Sequence, residues 1–214
     1  MNLAATLSRR FRCRRMSRLA ETAGLTAETR VLDVGGTPDI WLLLPQPPRI
    51  VFLNLPRTRE EVLEGMPWAQ RVYGDGRKLP FADGAFDLVF SNSVIEHLGS
   101  RESQQEFALE VMRVGRGYWV QTPNRRFPVE THLLTPLVHL LPKRWQRWLV
   151  PRFTVWELVR RPRPDQREFY LRHYLEDIRL LTAADMMSLF PGANLVQERF
   201  LGLVKSLIAV RWTG

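Results

Sequence analysis

Small and polar residues recur where apolar runs stop. Asp33, Gly35, Gly36 and Thr37 close the run from Arg30 to Val34, and Asn54 follows the run from Ile50 to Leu53. Asp75 and Gly76 follow Arg71 to Tyr73, Ser91 and Asn92 follow Phe86 to Phe90, and Thr122 and Asn124 end Tyr118 to Thr122. If these runs are strands of one open α/β sheet, their carboxyl ends line a common crevice, where such sheets bind ligands. A set this small and polar suits a nucleoside. Three further residues could handle a proton: His97, Glu130 and His132. His97 follows the fourth run and reads equally as a helix-start histidine bonded to backbone. Glu130 and His132 lie two apart, so on an extended loop they share a face and can converge on one ligand, or simply pin the loop. No paired His/Cys spacing of the kind that holds a metal is present.

The elements that must position these groups alternate along the chain. The β-branched and aromatic runs at 30–34, 50–53, 71–73, 86–90 and 118–122 predict five strands. Their near-continuous apolar character predicts a parallel sheet covered on both faces. Between them, Phe107, Leu109, Val111, Met112 and Val114 predict a helix over 102–114 with those side chains inward. The helix after the first strand is compressed to about 39–44 by Pro45. Thr182 with Asp185 three residues on predicts a capped helix that Pro191-Gly192 stops. Two last runs, 195–199 and 205–212, lie close enough to pair as a hairpin. A basic helix over 2–23 precedes everything, with Leu3, Leu7 and Phe11 every four residues and Gly24 as its stop.

The run Val31-Leu32-Asp33-Val34-Gly35-Gly36 resembles the first motif of class I S-adenosylmethionine (SAM) dependent methyltransferases. The stretch from Gly74-Asp75-Gly76 through Phe86-Asp87-Leu88-Val89-Phe90-Ser91 to Ser93-Val94-Ile95-Glu96-His97-Leu98 is similar to the type-11 branch, which includes small-molecule methyltransferases. The likeness covers residues 30–124 well and 180–212 in outline. It implies an α/β, Rossmann-like, seven-stranded and mostly parallel sheet of order 3-2-1-4-5-7-6, with helices on both faces and a helical cap inserted after the fifth strand. It implies SAM as cofactor and S-adenosylhomocysteine (SAH) as product. The implied cofactor-binding residues are Asp33, Gly35, Gly36, Asn54, Asp75, Gly76, Ser91 and Asn92. Gly35 would let the loop approach the methionine part, Asp33 would orient that loop or meet the amino group through water, and Asn54 would meet the ribose hydroxyls. Asp75 would accept from the adenine amino group while the Gly76 N–H donates to the ring, and Ser91 and Asn92 would lie near the reactive methyl. His97, Glu130 and His132 are the candidate catalytic residues. Two departures stand out. The glycine loop reads Gly35-Gly36-Thr37-Pro38-Asp39, with only its first glycine in register, and Asn54 stands where a carboxylate is usual.

Length and composition bound the rest. With 214 residues, 45% hydrophobic and 25% charged, a single methyltransferase domain over 1–214 is expected, comprising a basic N-terminal helix (1–24) and a cap insertion (125–175). No apolar run approaches the roughly 18–20 residues that span a bilayer, no signal peptide is readable, and one cysteine, Cys13, excludes an internal disulfide. A cytoplasmic protein is expected, with membrane association as the alternative. The net charge is +9, and six arginines with no acid fall within residues 1–20. Such clusters are either a solvated face or a contact for phosphates on a membrane or another polyanion. In the cap, Leu141, Trp145, Trp148 and Leu149 would share a helical face that is either core packing or an amphipathic interface. The expected acceptor is a small molecule, lipid-like or glycan-linked, methylated on O, N or C, with no obligate nucleic acid. The alternatives are an RNA methyltransferase, suggested by the charge, and a non-catalytic binding protein, suggested by the altered glycine loop and Asn54.

Overall fold

In a computed structural model the chain is described over residues 3–56, 63–130, 135–136, 141–142, 144–146, 148–149 and 178–212. The elements are α1 (Leu3–Ala23), β1 (Arg30–Val34), α2 (Pro38–Trp41), β2 (Arg49–Asn54), β3 (Ala69–Tyr73), β4 (Phe86–Asn92), a 3-10 turn (Ile95–His97), α3 (Arg101–Val114), β5 (Gly115–Pro123), β6 (Val129–Glu130), β7 (Thr135–Pro136), α4 (Ala183–Leu189), β8 (Asn194–Phe200) and β9 (Leu203–Arg211). Seven strands form one sheet of order β3-β2-β1-β4-β5-β9-β8, and β6 and β7 form a separate pair. The first five strands run parallel and β9 lies antiparallel between β5 and β8. Numbered within the main sheet alone, this is the order 3-2-1-4-5-7-6.

Two apolar layers flank the sheet. On one face Leu32, Val34, Val89 and Val120 pack against Phe107, Val111 and Val114 of α3 and Met186 and Leu189 of α4. On the other, Val31, Ile50, Phe52, Phe90, Trp119 and Ile208 pack against Met16, Leu19 and Ala23 of α1 and Ile40 and Trp41 of α2. Side chains of successive strand residues point to opposite faces, so β1 serves one layer with Val31 and the other with Leu32. α3 is capped by Ser100, whose hydroxyl accepts from the Ser103 N–H, and α4 by the reciprocal Thr182–Asp185 capping box.

The main differences from expectation are local. Leu109 is exposed, because α3 buries Gln104, Phe107, Ala108, Val111 and Val114, and Leu109 lies about 200° round the helix from Phe107. α2 is shorter still than the sequence suggests. β4 runs to Asn92, two residues past the end of its apolar run. In the expected cap, residues 131–134, 137–140, 143, 147 and 150–177 lie outside the described residues. Of its aromatic face, Trp145 is 51% and Trp148 49% exposed. No helix among the described residues is long and apolar enough to cross a membrane.

Candidate active site

At the carboxyl ends of β1 to β4 lies a cavity of about 430 Å³, lined among others by Gly35, Asn54, Asp75, Gly76, Ser93 and His97. That volume is within the range of about 300–1,000 Å³ usual for small-molecule sites. Its floor is apolar: Val34, Leu53, Val94 and Phe107.

The floor depends on glycine. Gly35 adopts φ +75°, a left-handed conformation, and a Cβ there would come within 2.7 Å of the Val94 side chain. A Cβ on Gly36 would sit 1.9 Å from the Asp33 carboxylate, and one on Gly76 2.9 Å from Val34. The loops are thus as close to the strand ends as backbone permits. Asp33 lies beneath them, fully buried, and accepts from the Trp41 indole N–H at 2.7 Å. Its Oδ1 has no partner among the described residues. Burial raises its pKa to about 7, against the lowering effect of the Trp41 bond. Asp33 therefore underpins the loop from within the core and does not line the cavity.

Asn54 does line it, and its amide NH2 donates to the Gly36 carbonyl at 3.2 Å. A carboxylate could not donate there. The Asn54 amide fastens β2 to the glycine loop and offers its Oδ1 as an acceptor. Asp75 also lines the cavity. Its carboxylate accepts from the Arg77 N–H at 2.9 Å and from the Arg77 guanidinium at 2.6 Å and 3.0 Å. The Arg77 hydrogen bond, chiefly, holds the Asp75 pKa below the usual carboxylate range. Arg77 was not singled out in the sequence, although its position two residues after Asp75 is what an Asx-type turn uses.

Ser91 and Asn92 stand apart from the cavity. Ser91 is buried and donates to the Val34 carbonyl at 3.2 Å. Asn92 accepts from the Arg15 guanidinium of α1. Because β4 continues to Asn92, the residues beyond its end are Ser93 and Val94, and these face the cavity. Ser93 makes the turn with φ 58° and is held there by Gln121, through N–H to carbonyl at 3.0 Å and hydroxyl to side chain at 2.9 Å. The 3-10 turn carrying His97 is braced from below. Buried Glu96 accepts from the Thr122 hydroxyl at 3.0 Å, and Gln104 donates to the Ile95 carbonyl at 3.0 Å. Asn124, whose amide donates to the Val204 carbonyl at 2.8 Å, ties β5 to the β8–β9 hairpin. The side chain of Glu130 and all of His132 lie outside the described residues. The described residues hold no cluster of three or more His, Cys, Asp or Glu able to bind a metal.

A second polar assembly adjoins the cavity across Asn92. Arg15, buried on α1, donates in bidentate fashion to Glu198 of β8, at 2.8 Å through Nε and 2.5 Å through Nη2. Between the register pairs Glu198–Ser206 and Arg199–Val204, Lys205 is the extra residue of a β-bulge. Its ammonium lies 4.1 Å over the Phe11 ring of α1, and burial draws its pKa below the usual lysine value. Nothing in the composition of α1 marks Arg15 among its neighbouring arginines. Its place on the same face as Met16 and Leu19 was the available signal.

Residues 54–117 match the family model described as "Methyltransferase domain". No curated protein sequence matches the chain. Among solved structures, a SAM-dependent methyltransferase of Methanosarcina mazei is similar with a TM-score of 0.52 and 11% identity, over 90% of this chain and 95% of that one. The N-terminal domain of EvdMO1, solved in the presence of SAH and D-fucose, gives 0.55 and 18% over 93% and 81%. A protein of Pyrococcus horikoshii gives 0.53 and 18% over 91% and 85%. At these identities the structures show the fold alone, a Rossmann-like methyltransferase fold. The matched residues run from the end of β2 into β5 and include Asn54, Asp75, Gly76 and His97 of the cavity.

Proposed function

We propose that the protein transfers the methyl group of SAM to an O, N or C atom of a small molecule, lipid-like or glycan-linked. The observation that carries this reading is the cavity at the ends of β1 to β4, floored by Val34, Leu53, Val94 and Phe107, approached closely by Gly35 and Gly76, and rimmed by Asn54, Asp75 and His97. The residues present fit an adenosyl group: Gly35 and Gly36 for close backbone approach, Asn54 Oδ1 as acceptor for a ribose hydroxyl, Asp75 and the Gly76 N–H for the base. When bound, SAM supplies an electrophilic methyl on a sulfonium, a good leaving group. The protein's share is then mainly alignment and the exclusion of water. Phe107, Val94 and Leu98 are among the apolar side chains that line the cavity. His97 is the candidate base for an acceptor that must lose a proton, and the Glu96–Thr122 and Gln104 bonds hold its turn in place. Glu130 and His132 remain candidates from the loop after β5.

Calorimetry with SAM and with SAH tests the reading: binding of both is expected, and no binding of either at millimolar concentration would overturn it. The alternative of a non-catalytic binding protein gains support from the Asn54–Gly36 bond, which commits part of the usual ribose-binding position to structure. Turnover of SAM on any acceptor ends that alternative.

A further inference from the structure

The β8–β9 hairpin ends in a two-residue turn, Leu201-Gly202, joining the paired residues Phe200 and Leu203. Leu201 has φ 48° and Gly202 φ 81°. Left-handed conformation at both central positions defines a type I′ turn, for which Asn, Asp or Gly is the favoured first residue. Leucine is poorly suited to that backbone, and its side chain gains nothing from the fold: Leu201 is 87% exposed. Leu203, beside it, is 52% exposed. The Arg199 guanidinium donates to the Gly202 carbonyl at 3.0 Å and braces the tip. An exposed apolar residue is thus held in a disfavoured conformation on a braced turn.

The surroundings of the tip are basic. Phe200 stacks edge-on against Phe11 of α1 at 6.0 Å between ring centroids, so the hairpin tip and α1 form one surface. Arg10, Arg14 and Arg18 of α1 follow one another at four-residue spacing, which aligns them on one helix face, and all three are exposed. Among the described residues none of the three pairs with an acid. Arg9 is exposed as well, and the first acid on the helix is Glu21.

We propose that this surface docks on an anionic lipid bilayer, with Leu201 and Leu203 entering the headgroup region and the Arg10–Arg14–Arg18 row lying over the lipid phosphates. A basic face beside a small apolar wedge is the combination that gives reversible interfacial binding: apolar burial supplies the insertion and juxtamembrane cations the lipid selectivity. A nucleic acid would use the arginines but has no use for an exposed, strained leucine. The cavity entrance and the hairpin both adjoin the end of β4, through Ser93 and through Asn92–Arg15–Glu198. The docking proposal does not rest on methyl transfer, since partitioning is read without turnover.

The test is co-sedimentation of the full chain with vesicles of phosphatidylcholine alone and of an equal mixture of phosphatidylcholine and phosphatidylglycerol. Binding is expected to the mixed vesicles and to be close to absent on phosphatidylcholine alone. Leu201→Asn should lower partitioning about tenfold, as loss of one leucine's burial implies, while raising the thermal midpoint, because asparagine suits the turn. Arg14→Gln should lower it about fivefold with the fold unchanged. The opposite signs for Leu201→Asn separate a docking residue from a structural one. Equal binding to both vesicle types, or Leu201→Asn partitioning like the parent protein, overturns the proposal. So does a polyuridylate RNA that binds with the same dependence on Arg14 while vesicles are not bound.

Discussion

The two sides of the sheet's carboxyl edge meet at Asn92 and Ser93, and they are built from different materials. On the β1–β3 side, the cavity is shaped by close backbone, with the side chains of Val34, Leu53, Asn54 and Asp75 set on it. Gly35, Gly36 and Gly76 bring loops against strand ends, and each polar group on its rim sits within a few residues of the strand that places it. On the α1 side, the edge is held by long side chains from distant parts of the chain: Arg15 grips Glu198, 183 residues away, and Asn92, 77 residues away. The first construction shapes a space for a ligand. The second fastens α1 over the sheet end with a charge pair that leaves no such space. Lining a cavity thus needs few interactions but exact backbone, whereas closing an edge needs interactions strong enough to offset desolvation.

The comparison breaks most readily at Arg15. Replacing it with alanine leaves the Glu198 carboxylate largely buried without its partner, which costs about 3–5 kcal/mol for pairs of this kind. Denaturant unfolding should show that loss in Arg15→Ala. The double change Arg15→Met with Glu198→Leu should recover most of it, since apolar replacement of a buried pair is commonly neutral. A loss below about 1 kcal/mol for the single change would mean that the apolar contacts of Met16 and Leu19 alone hold α1.

Asp33 provides the contrast within the cavity side, a buried carboxyl with no cation beside it. Its folded pKa, about 7, lies above the 3.8 of an ordinary aspartate. The folded state therefore keeps a proton that the unfolded chain releases. The associated stability is fully present below pH 3.8 and is lost as pH rises through about 7. Between pH 5 and 8 the loss amounts to about 3 kcal/mol at most. Asp75, Glu110 and Asp185 shift the other way, so their contributions fall away only in more acid solution. The thermal midpoint should drop from pH 5 to 8, and Asp33→Asn, which keeps an acceptor for the Trp41 indole, should flatten that drop. An unchanged slope in Asp33→Asn would place the titrating group elsewhere.

Gly36 tests whether the backbone construction is as tight as it looks. A Cβ there would lie 1.9–2.2 Å from the Asp33 carboxyl atoms, and that carboxyl is pinned by Trp41. Gly36→Ala should cost about 2 kcal/mol and weaken SAM binding together with stability. Adding Asp33→Ala removes the clash and should return part of both. Two independent, additive losses would contradict the contact.

These regions also differ in how far they could be read from sequence. The strands and the Gly74-Asp75-Gly76 turn were legible because each is local: an apolar run, then a turn whose residue types follow from its conformation; the order of the strands is not local and came from the resemblance alone. The end of β4 was not, because Ser91 and Asn92 are polar yet remain in the ladder with β5, paired to Val120 and Gln121. Strand pairing outlasted the apolar signal by two residues and moved the cavity lining to Ser93 and Val94. Leu109 misled for a related reason. An apolar residue beside an inward face counts toward the helical period even when its own angle points it to water. Arg15 carried no distinguishing mark at all, since six arginines of similar spacing share that helix and only the fold selects the one that meets Glu198.

The smallest and sharpest test concerns Asn54, where sequence and structure argue in opposite directions. By the resemblance alone, Asn54→Asp supplies the carboxylate expected at this position and should tighten SAM binding through a charge-assisted bond to ribose. In the structure, the Asn54 NH2 donates to the Gly36 carbonyl at 3.2 Å. A carboxylate oxygen in its place would face that carbonyl with two acceptors and no proton between them. The loop would then withdraw from β2, and the cavity would lose the backbone placement on which the adenosyl fit depends. The expected outcome is weaker binding in Asn54→Asp, by about tenfold, or roughly 1.4 kcal/mol, measured by calorimetry with SAH at a pH where the new group is ionised. Tighter binding instead would show that the loop tolerates loss of the Asn54 clasp, and that the ribose, more than the backbone, governs affinity on this side of the sheet.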